Sequence, residues 1–233
     1  VDIGRQQLNS GAHFLDVCTA YVGRNEIKDM EETIQRFNQQ LDVPLVIDST
    51  EAPVIEAALK LIAGKAIVNS INLEDGEERL EAILPLCRQF GAGVVALTID
   101  EDGMAKTAAK KLEIAERIYD LSVNRYGMDP HDLIFDTLTF TLGSGDEEFR
   151  KAGIETIEAI RLINEKFPAV SFTLGISNIS FGLNPAARHV INSMFLHYAM
   201  KAGLNTAIIN SAHILPLNDI SEEERKFCHH LIY

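Results

Sequence analysis

The residues best placed by type and spacing to do chemistry are carboxylates and amides that close short apolar runs. Asp48-Ser49-Thr50 follows Leu45-Val46-Ile47, Asn69-Ser70 follows Ile67-Val68, and Asp136-Thr137 follows Leu133-Ile134-Phe135. Gly175-Ile176 leads into Ser177-Asn178-Ile179-Ser180, Ile209 leads into Asn210-Ser211, and Asp16 sits near the end of the first visible run. Asp, Asn and Ser are also the usual helix caps and turn residues, and any one of them can be read that way. Asp48 is the strongest exception, because Ser49 and Thr50 can cap the next helix without it. As a set, junctions that carry Asp or Asn but neither Lys nor Arg describe a neutral-to-acidic polar cup. Such a cup suits a flat heterocycle whose edge offers N–H donors beside acceptors. A carboxylate takes two parallel N–H bonds from it, and an amide both gives and accepts. The 2-amino-4-oxopyrimidine edge of a pterin meets that description, though not uniquely.

The elements that must hold this cup are legible as alternating β-branched and amphipathic runs. The sequence predicts strands over His13–Cys18, Leu45–Asp48, Ala66–Asn69, Val94–Ile99, Leu133–Asp136, Ser171–Ile176 and Thr206–Asn210. Helices are expected over Lys28–Leu41, Ala52–Ile62, Glu77–Phe90, Thr107–Tyr126, Glu147–Lys166 and Pro185–Ala202. Near-continuous apolar strands imply a parallel sheet covered on both faces. The fold class is therefore α/β, and a (β/α)8 TIM barrel is the favoured architecture, because catalytic groups of barrels sit where strands run out into loops. Val1-Asp2-Ile3-Gly4-Arg5-Gln6-Gln7-Leu8 reads as the middle of a helix. The first barrel strand is accordingly expected upstream of Val1, with residues 1–233 as one domain excised from a longer multidomain chain. A doubly wound open sheet is the alternative. It expects a Gly-rich turn after the first strand, whereas Gly91-Ala92-Gly93 precedes a strand.

Composition narrows the partners. The 233 residues carry a formal net charge of −13, with 46% hydrophobic and 24% charged residues. Nucleic-acid phosphates and anionic lipid need clustered Lys and Arg, and no basic stripe is present, so neither is an expected partner. Cys18, Cys87 and Cys228 lie far apart and form no CxxC pair, which reads as a reduced, cytoplasmic protein. No apolar run reaches the length of a membrane span.

The same junctions carry a resemblance. Leu45-Val46-Ile47-Asp48-Ser49-Thr50, Ile67-Val68-Asn69-Ser70-Ile71, Leu133-Ile134-Phe135-Asp136 and Gly175-Ile176-Ser177-Asn178-Ile179-Ser180-Phe181-Gly182 occur in order along the chain. With Phe195-Leu196, Ala199 and Ala207-Ile208-Ile209-Asn210, the sequence resembles the folate-binding (pterin-binding) domain of cobalamin-dependent methionine synthase and related methyltetrahydrofolate:corrinoid methyltransferases. That resemblance implies a module that binds 5-methyltetrahydrofolate and passes its N5-methyl group to cob(I)alamin held by another domain or protein. It implies pterin contacts from Asp48, Asn69, Asp136 and Asn178, with Gly175 and Ser177 of the same motif lining the site. Asn178 matches the catalytic asparagine that reaches N5, Asp48 is the carboxylate best placed by sequence to relay a proton, and Arg188 matches an arginine near the outer part of the site. A homocysteine-binding domain is implied in the full-length chain, and no metal bound by this chain. The chain departs from the family at Asp16-Val17-Cys18, where many relatives have Asp-Val-Asn, and it lacks the family's opening Gly-Glu-Arg strand.

Rival readings stay open at this point. A separate corrinoid iron–sulfur protein could be the acceptor, although Phe181-Gly182-Leu183 resembles the methionine synthase branch more closely. A non-catalytic folate-binding module would present the same cup. Dihydropteroate synthase, on a similar barrel, expects a Lys in a Ser-Arg-Lys type motif where this chain has Ser177-Asn178-Ile179-Ser180.

Other signals read as structure. Cys228-His229-His230 follows Ser221-Glu222-Glu223-Glu224, a helix start, and adjacent helical residues point different ways. His189 and His197 lie two turns apart and read as packing or surface groups. Asp100-Glu101-Asp102-Gly103 lacks the spacing of a calcium loop. Gly143-Ser144-Gly145-Asp146 reads as a loop with Asp146 as a cap, and Glu74–Glu78 as a solvated helix start.

Overall fold

A computed structural model describes residues 1–145 and 147–233, the side chains of Glu148 and Ser211 excepted. In chain order the elements are α1 (Asp2–Asn9), β1 (Leu15–Cys18), α2 (Glu26–Gln40), β2 (Leu45–Asp48), α3 (Ala52–Leu59), β3 (Ile67–Ile71), α4 (Glu78–Phe90), β4 (Gly93–Leu97), β5 (Ile99–Asp100), β6 (Gly103–Met104), α5 (Ala108–Tyr119), β7 (Leu133–Asp136), α6 (Ala152–Lys166), β8 (Ser171–Thr173), α7 (Pro185–Ala202) and α8 (Glu222–Ile232). Six strands form one parallel sheet in the order β1-β2-β3-β4-β7-β8. Strand order follows chain order, as barrel winding requires.

Strand alternation separates core from cup. Leu15 and Val17, Leu45 and Ile47, and Leu133 and Phe135 are buried, while Asp16, Asp48 and Asp136 point to the other face. The helices cover the apolar face with stripes at helical spacing: Met30 and Ile34 on α2, Leu80, Ile83, Leu84 and Cys87 on α4, and Ile157, Ile160 and Ile163 on α6. Truncating one of these, for example Ile83→Ala, removes transfer energy and leaves a cavity, at a cost of about 2–5 kcal/mol.

Helix ends are set locally. The Asn25 side chain accepts the Lys28 amide at the start of α2, and Thr107 accepts that of Lys110 at the start of α5. α4 stops at Gly91, whose φ of 67° is left-handed. Ser221 and Glu224 make the reciprocal capping box expected at α8.

Several expected boundaries move. The run Thr206–Asn210 is not a strand; only Ile208 bridges, to Gly175, while the Thr206 and Ile208 amides donate to the Phe172 and Leu174 carbonyls. The sheet is thus a partial barrel, an open arc with β1 at one edge and Thr206–Ile208 along β8. The strand expected to reach Ile176 stops at Thr173, because Ile176–Ser180 coils into a 3-10 turn. Helix α5 ends at Tyr119 and continues as a π-helical turn over Asp120–Arg125. Helix α6 begins at Ala152, after a separate 3-10 turn over Glu147–Phe149; Asp146, read as a cap, lies outside the described residues. Asp100-Glu101-Asp102-Gly103 is a β-hairpin turn, with Asp100 paired to Lys110 at 2.8 Å.

Candidate functional site

Parallel register brings the strand-end polar groups together. Cys18 stands opposite Asp48, Asp48 opposite Asn69, and Asn69 opposite Val95. Register partners in a parallel sheet share a face, so Asp48 and Asn69 are neighbours in one layer of the barrel interior. Asp136 pairs with Leu97 and Thr173, one layer nearer the mouth on β4. Asn178 follows in the 3-10 turn after β8, and its side chain is exposed and folded back over Gly175.

The strand-end residues differ in what else they do. Helix α3 starts at Glu51 and α4 at Glu77, and neither takes a side-chain cap among the described residues. Asp48 and Asn69 are therefore not helix caps. Asn210 is a turn residue: its Oδ1 accepts the Ala212 amide. Asp136 is also a turn residue, accepting the Leu138 amide at 2.8 Å on Oδ1, and its Oδ2 takes no hydrogen bond among the described residues.

The electrostatics favour a proton near these groups. Loss of water, then the nearby Asp48 charge, raises Asp16 to about 6, while a hydrogen bond from Asn69 pulls it back. Asp16, opposite Val46 on the edge strand β1, keeps part of its surface exposed, yet loss of water is still the larger cause of its shift and the Asp48 charge the second. Asp48 is itself raised, by desolvation and by Glu26. Burial also lifts Asp136 to about 6, against the Leu138 amide and the Lys111 charge, which lower it.

The loops are pinned from below. The Arg79 guanidinium donates to the Ser70 carbonyl at 3.0 Å, to the Ser49 carbonyl at 2.8 Å, and to that of Thr50. One cation thus fixes the backbone after both Asp48 and Asn69. Arg188 donates from Nε to Ser180 Oγ at 3.1 Å and from Nη2 to the Ser177 carbonyl at 3.3 Å. Ser180 Oγ donates in turn to Asn192 Oδ1 at 2.7 Å. Arg188 therefore braces the turn that carries Ser177 and Asn178. Beside that turn lies a cavity of about 330 Å³ lined by Ser177, Arg188, Asn192, Asn210 and the stacked rings of His189 and His213, 4.6 Å apart.

Comparison with known proteins decides the family. The profile of the family described as "Pterin binding enzyme" matches residues 1–210. The chain belongs to the pterin-binding enzyme family. It is 48% identical over 236 residues to the methionine synthases of Mycobacterium tuberculosis (strain ATCC 25618 / H37Rv) and of Mycobacterium leprae (strain TN), covering 100% of this chain and 20% of each relative. The chain thus spans about a fifth of the length of those curated relatives. In fold it is similar to a Yersinia pestis dihydropteroate synthase solved with a pterine-sulfa conjugate, at a TM-score of 0.60 and 15% identity over 97% of this chain and 86% of that one. A dihydropteroate synthase from Xanthomonas albilineans in complex with 7,8-dihydropteroate gives 0.60 and 18%, over 88% and 75%. At those identities the likeness concerns the barrel alone.

Within this pterin-binding barrel, two groups lie outside the sequence-derived set, and a third lies in it without an assigned role. Asp16 is visible in the ring of strand-end residues, but its position there gives it no role. Arg79 leaves no sequence signal, since an arginine on an amphipathic helix is ordinary. Lys111 does leave one. It sits with Ala108, Ile114, Ala115 and Ile118 on the buried stripe of α5, where a lysine needs a reason.

Proposed function

We propose that this chain binds 5-methyltetrahydrofolate and presents its N5-methyl group to a cobalamin held by another domain, as the folate module of a methionine synthase. The observation that carries the reading is the lateral pairing of Asp48 with Asn69, neither used as a helix cap, beside an Asp136 whose Oδ2 takes no hydrogen bond among the described residues. A pterin edge, with its row of donors and acceptors, satisfies such groups without an added cation. The 48% identity to methionine synthases supports the same substrate. Dihydropteroate synthesis is disfavoured because the Ile176–Ser180 turn carries no lysine for an anionic second substrate.

A cobalamin held beside the mouth would supply the cobalt(I) nucleophile for the methyl carbon, with the electron pair of the broken C–N5 bond staying on N5. The chain's own task is to make N5 a better leaving group. Asn178 can turn its amide to donate to N5 or to accept from it according to its protonation, an interaction that strengthens as charge develops. It has no proton to give. Asp16 and Asp48, with raised affinities for a proton, form the reservoir from which N5 is protonated through water. Gly175 and Ser177 shape the turn, and Arg188 holds it.

The test is direct. The chain is mixed with 5-methyltetrahydrofolate and chemically reduced cobalamin, and the methylated corrinoid is followed by its absorbance. Turnover that depends on the chain supports the reading. Tight folate binding with no methyl transfer would leave only a binding module.

A further inference from the structure

Beneath Asp136 lies a buried cation. Lys111 is 0% exposed, as is Thr156, with which it is hydrogen-bonded. Its Nζ donates to the Leu138 carbonyl and to Thr156 Oγ1, both at 3.1 Å, and lies 5.5 Å from the Phe140 ring centre. Thr156 Oγ1 in turn donates to the same Leu138 carbonyl at 2.8 Å. Leu138 is the one described non-glycine residue with positive φ, at 58°. Its amide is the group that holds Asp136 Oδ1. A lysine is expensive to bury, and a hydroxyl alone could satisfy that carbonyl. The ammonium therefore needs another reason to be there.

We propose that Lys111 is a positioning residue of the pterin site, its ammonium anchoring the Leu138 turn from below and holding Asp136 in the anionic form that faces the ligand. The inference rests on the functional reading above for what Asp136 binds, and adds how that carboxylate is kept charged in a half-buried place. The charged groups acting on Lys111 are Asp136 from the end of β7 and Glu155 from α6, whose Oε2 accepts the Ala108 amide at 2.6 Å. Lys111 is the one charged group resolved as acting on Asp136. Burial pushes Lys111 down to about 8 while both carboxylates push it back up, so it is mainly protonated at neutral pH. The Lys111 charge acts on Asp136 less strongly than burial or the Leu138 amide, so its effect belongs at the low end of the roughly 1–3 units that a nearby opposite charge produces.

The experiment follows the Asp136 carboxyl by carbon-13 NMR in the ligand-free chain, for the wild type, Lys111→Met and Lys111→Arg. Thr156 still satisfies the Leu138 carbonyl in the Met variant, so the turn has a partner. The Asp136 midpoint should rise by about one unit in Lys111→Met and stay near the wild-type value in Lys111→Arg. The affinity for 5-methyltetrahydrofolate should then fall roughly fivefold at pH 6 in Lys111→Met, and the two curves should meet above about pH 8. An unmoved midpoint, or an affinity loss equal at every pH, overturns the proposal and leaves Lys111 a packing residue. Should Lys111→Met not fold, the coupling is read from the other side: Asp136→Asn must lower the titration of the Lys111 ammonium, and no change there overturns it equally. The carboxyl titration needs no ligand. Failure of the wild type to bind folate strikes the functional reading, while an unmoved Asp136 strikes this one.

Discussion

Gly175 and Asn178 fit against each other so closely that a Cβ on Gly175 would stand 2.9 Å from Asn178 Nδ2. The backbone of Gly175, at φ −76° and ψ 86°, does not itself demand glycine. The glycine is needed for what lies over it. Gly175→Ala should fold with little loss of stability and push the Asn178 amide aside. A displacement of about 1 Å at a reacting group can cost up to ~100-fold. Single-turnover methyl transfer is expected to slow about 10- to 100-fold while folate affinity changes little. A variant as fast as the wild type would mean Asn178 does not act from this position.

Asp136 should carry most of the binding energy of the pterin edge. Its Oδ1 is spent on the Leu138 amide, and asparagine can keep that bond. Asp136→Asn therefore removes charge and leaves the turn, whereas Asp136→Ala removes both. Loss of a charged hydrogen-bond acceptor should cost about 1.5–3 kcal/mol, roughly 10- to 150-fold in Kd. Calorimetry should give losses of that size for both variants, with the larger thermal destabilisation in Asp136→Ala. Unchanged affinity in both would take Asp136 out of the site.

Much of this is readable from the sequence, for a physical reason. Strand identity and order follow from β-branched runs, and the runs Leu45–Asp48 and Leu133–Asp136 match the structure at both ends. Polar residues at strand ends stand out because the rest of each strand is apolar. What is not legible depends on contacts far apart in sequence. Thr206–Asn210 has the composition of a strand but bridges only at Ile208. The motif marks Arg188 as a residue near the outer part of the site but does not announce its bonds to Ser180 and Ser177. The partnership of Lys111 with Leu138 spans 27 residues, and only the odd lysine in an apolar stripe announces it.

Stability and folate binding should respond to pH in opposite directions. Asp16 and Asp136 titrate near 6 in the folded chain, above their ordinary value of 3.8. Between those values the native state holds protons that the unfolded chain has lost, so folding stability rises as pH falls from about 7 to about 5. The gain is modest, roughly 1 kcal/mol, because both groups keep some contact with solvent. Pterin recognition needs the Asp136 anion, so affinity should fall over the same range, toward about tenfold per pH unit below the midpoint. Thermal melts and folate titrations between about pH 5 and 8 check both. A melting temperature that drops along with affinity would show that the carboxyls are not raised.

Asn178 is the residue assigned to the chemical step, and its effect should separate from binding. A hydrogen bond that strengthens as N5 changes charge stabilises the transition state more than the bound substrate. Asn178→Ala should slow single-turnover transfer by about 10- to 1000-fold, the range for losing one such donor. Folate affinity should weaken by only about 1 kcal/mol, the worth of one neutral hydrogen bond. The closeness of Gly175 supplies an internal control. If Gly175→Ala acts by displacing the Asn178 amide, adding it to Asn178→Ala should cost almost nothing more, because the group it displaces is gone. Rapid mixing of the single and double variants with reduced cobalamin measures that coupling. Additive losses would mean the two residues act separately. Equal losses in rate and affinity for Asn178→Ala would make it a binding residue, and would move the search for the activating group to Asp48 and Asp16.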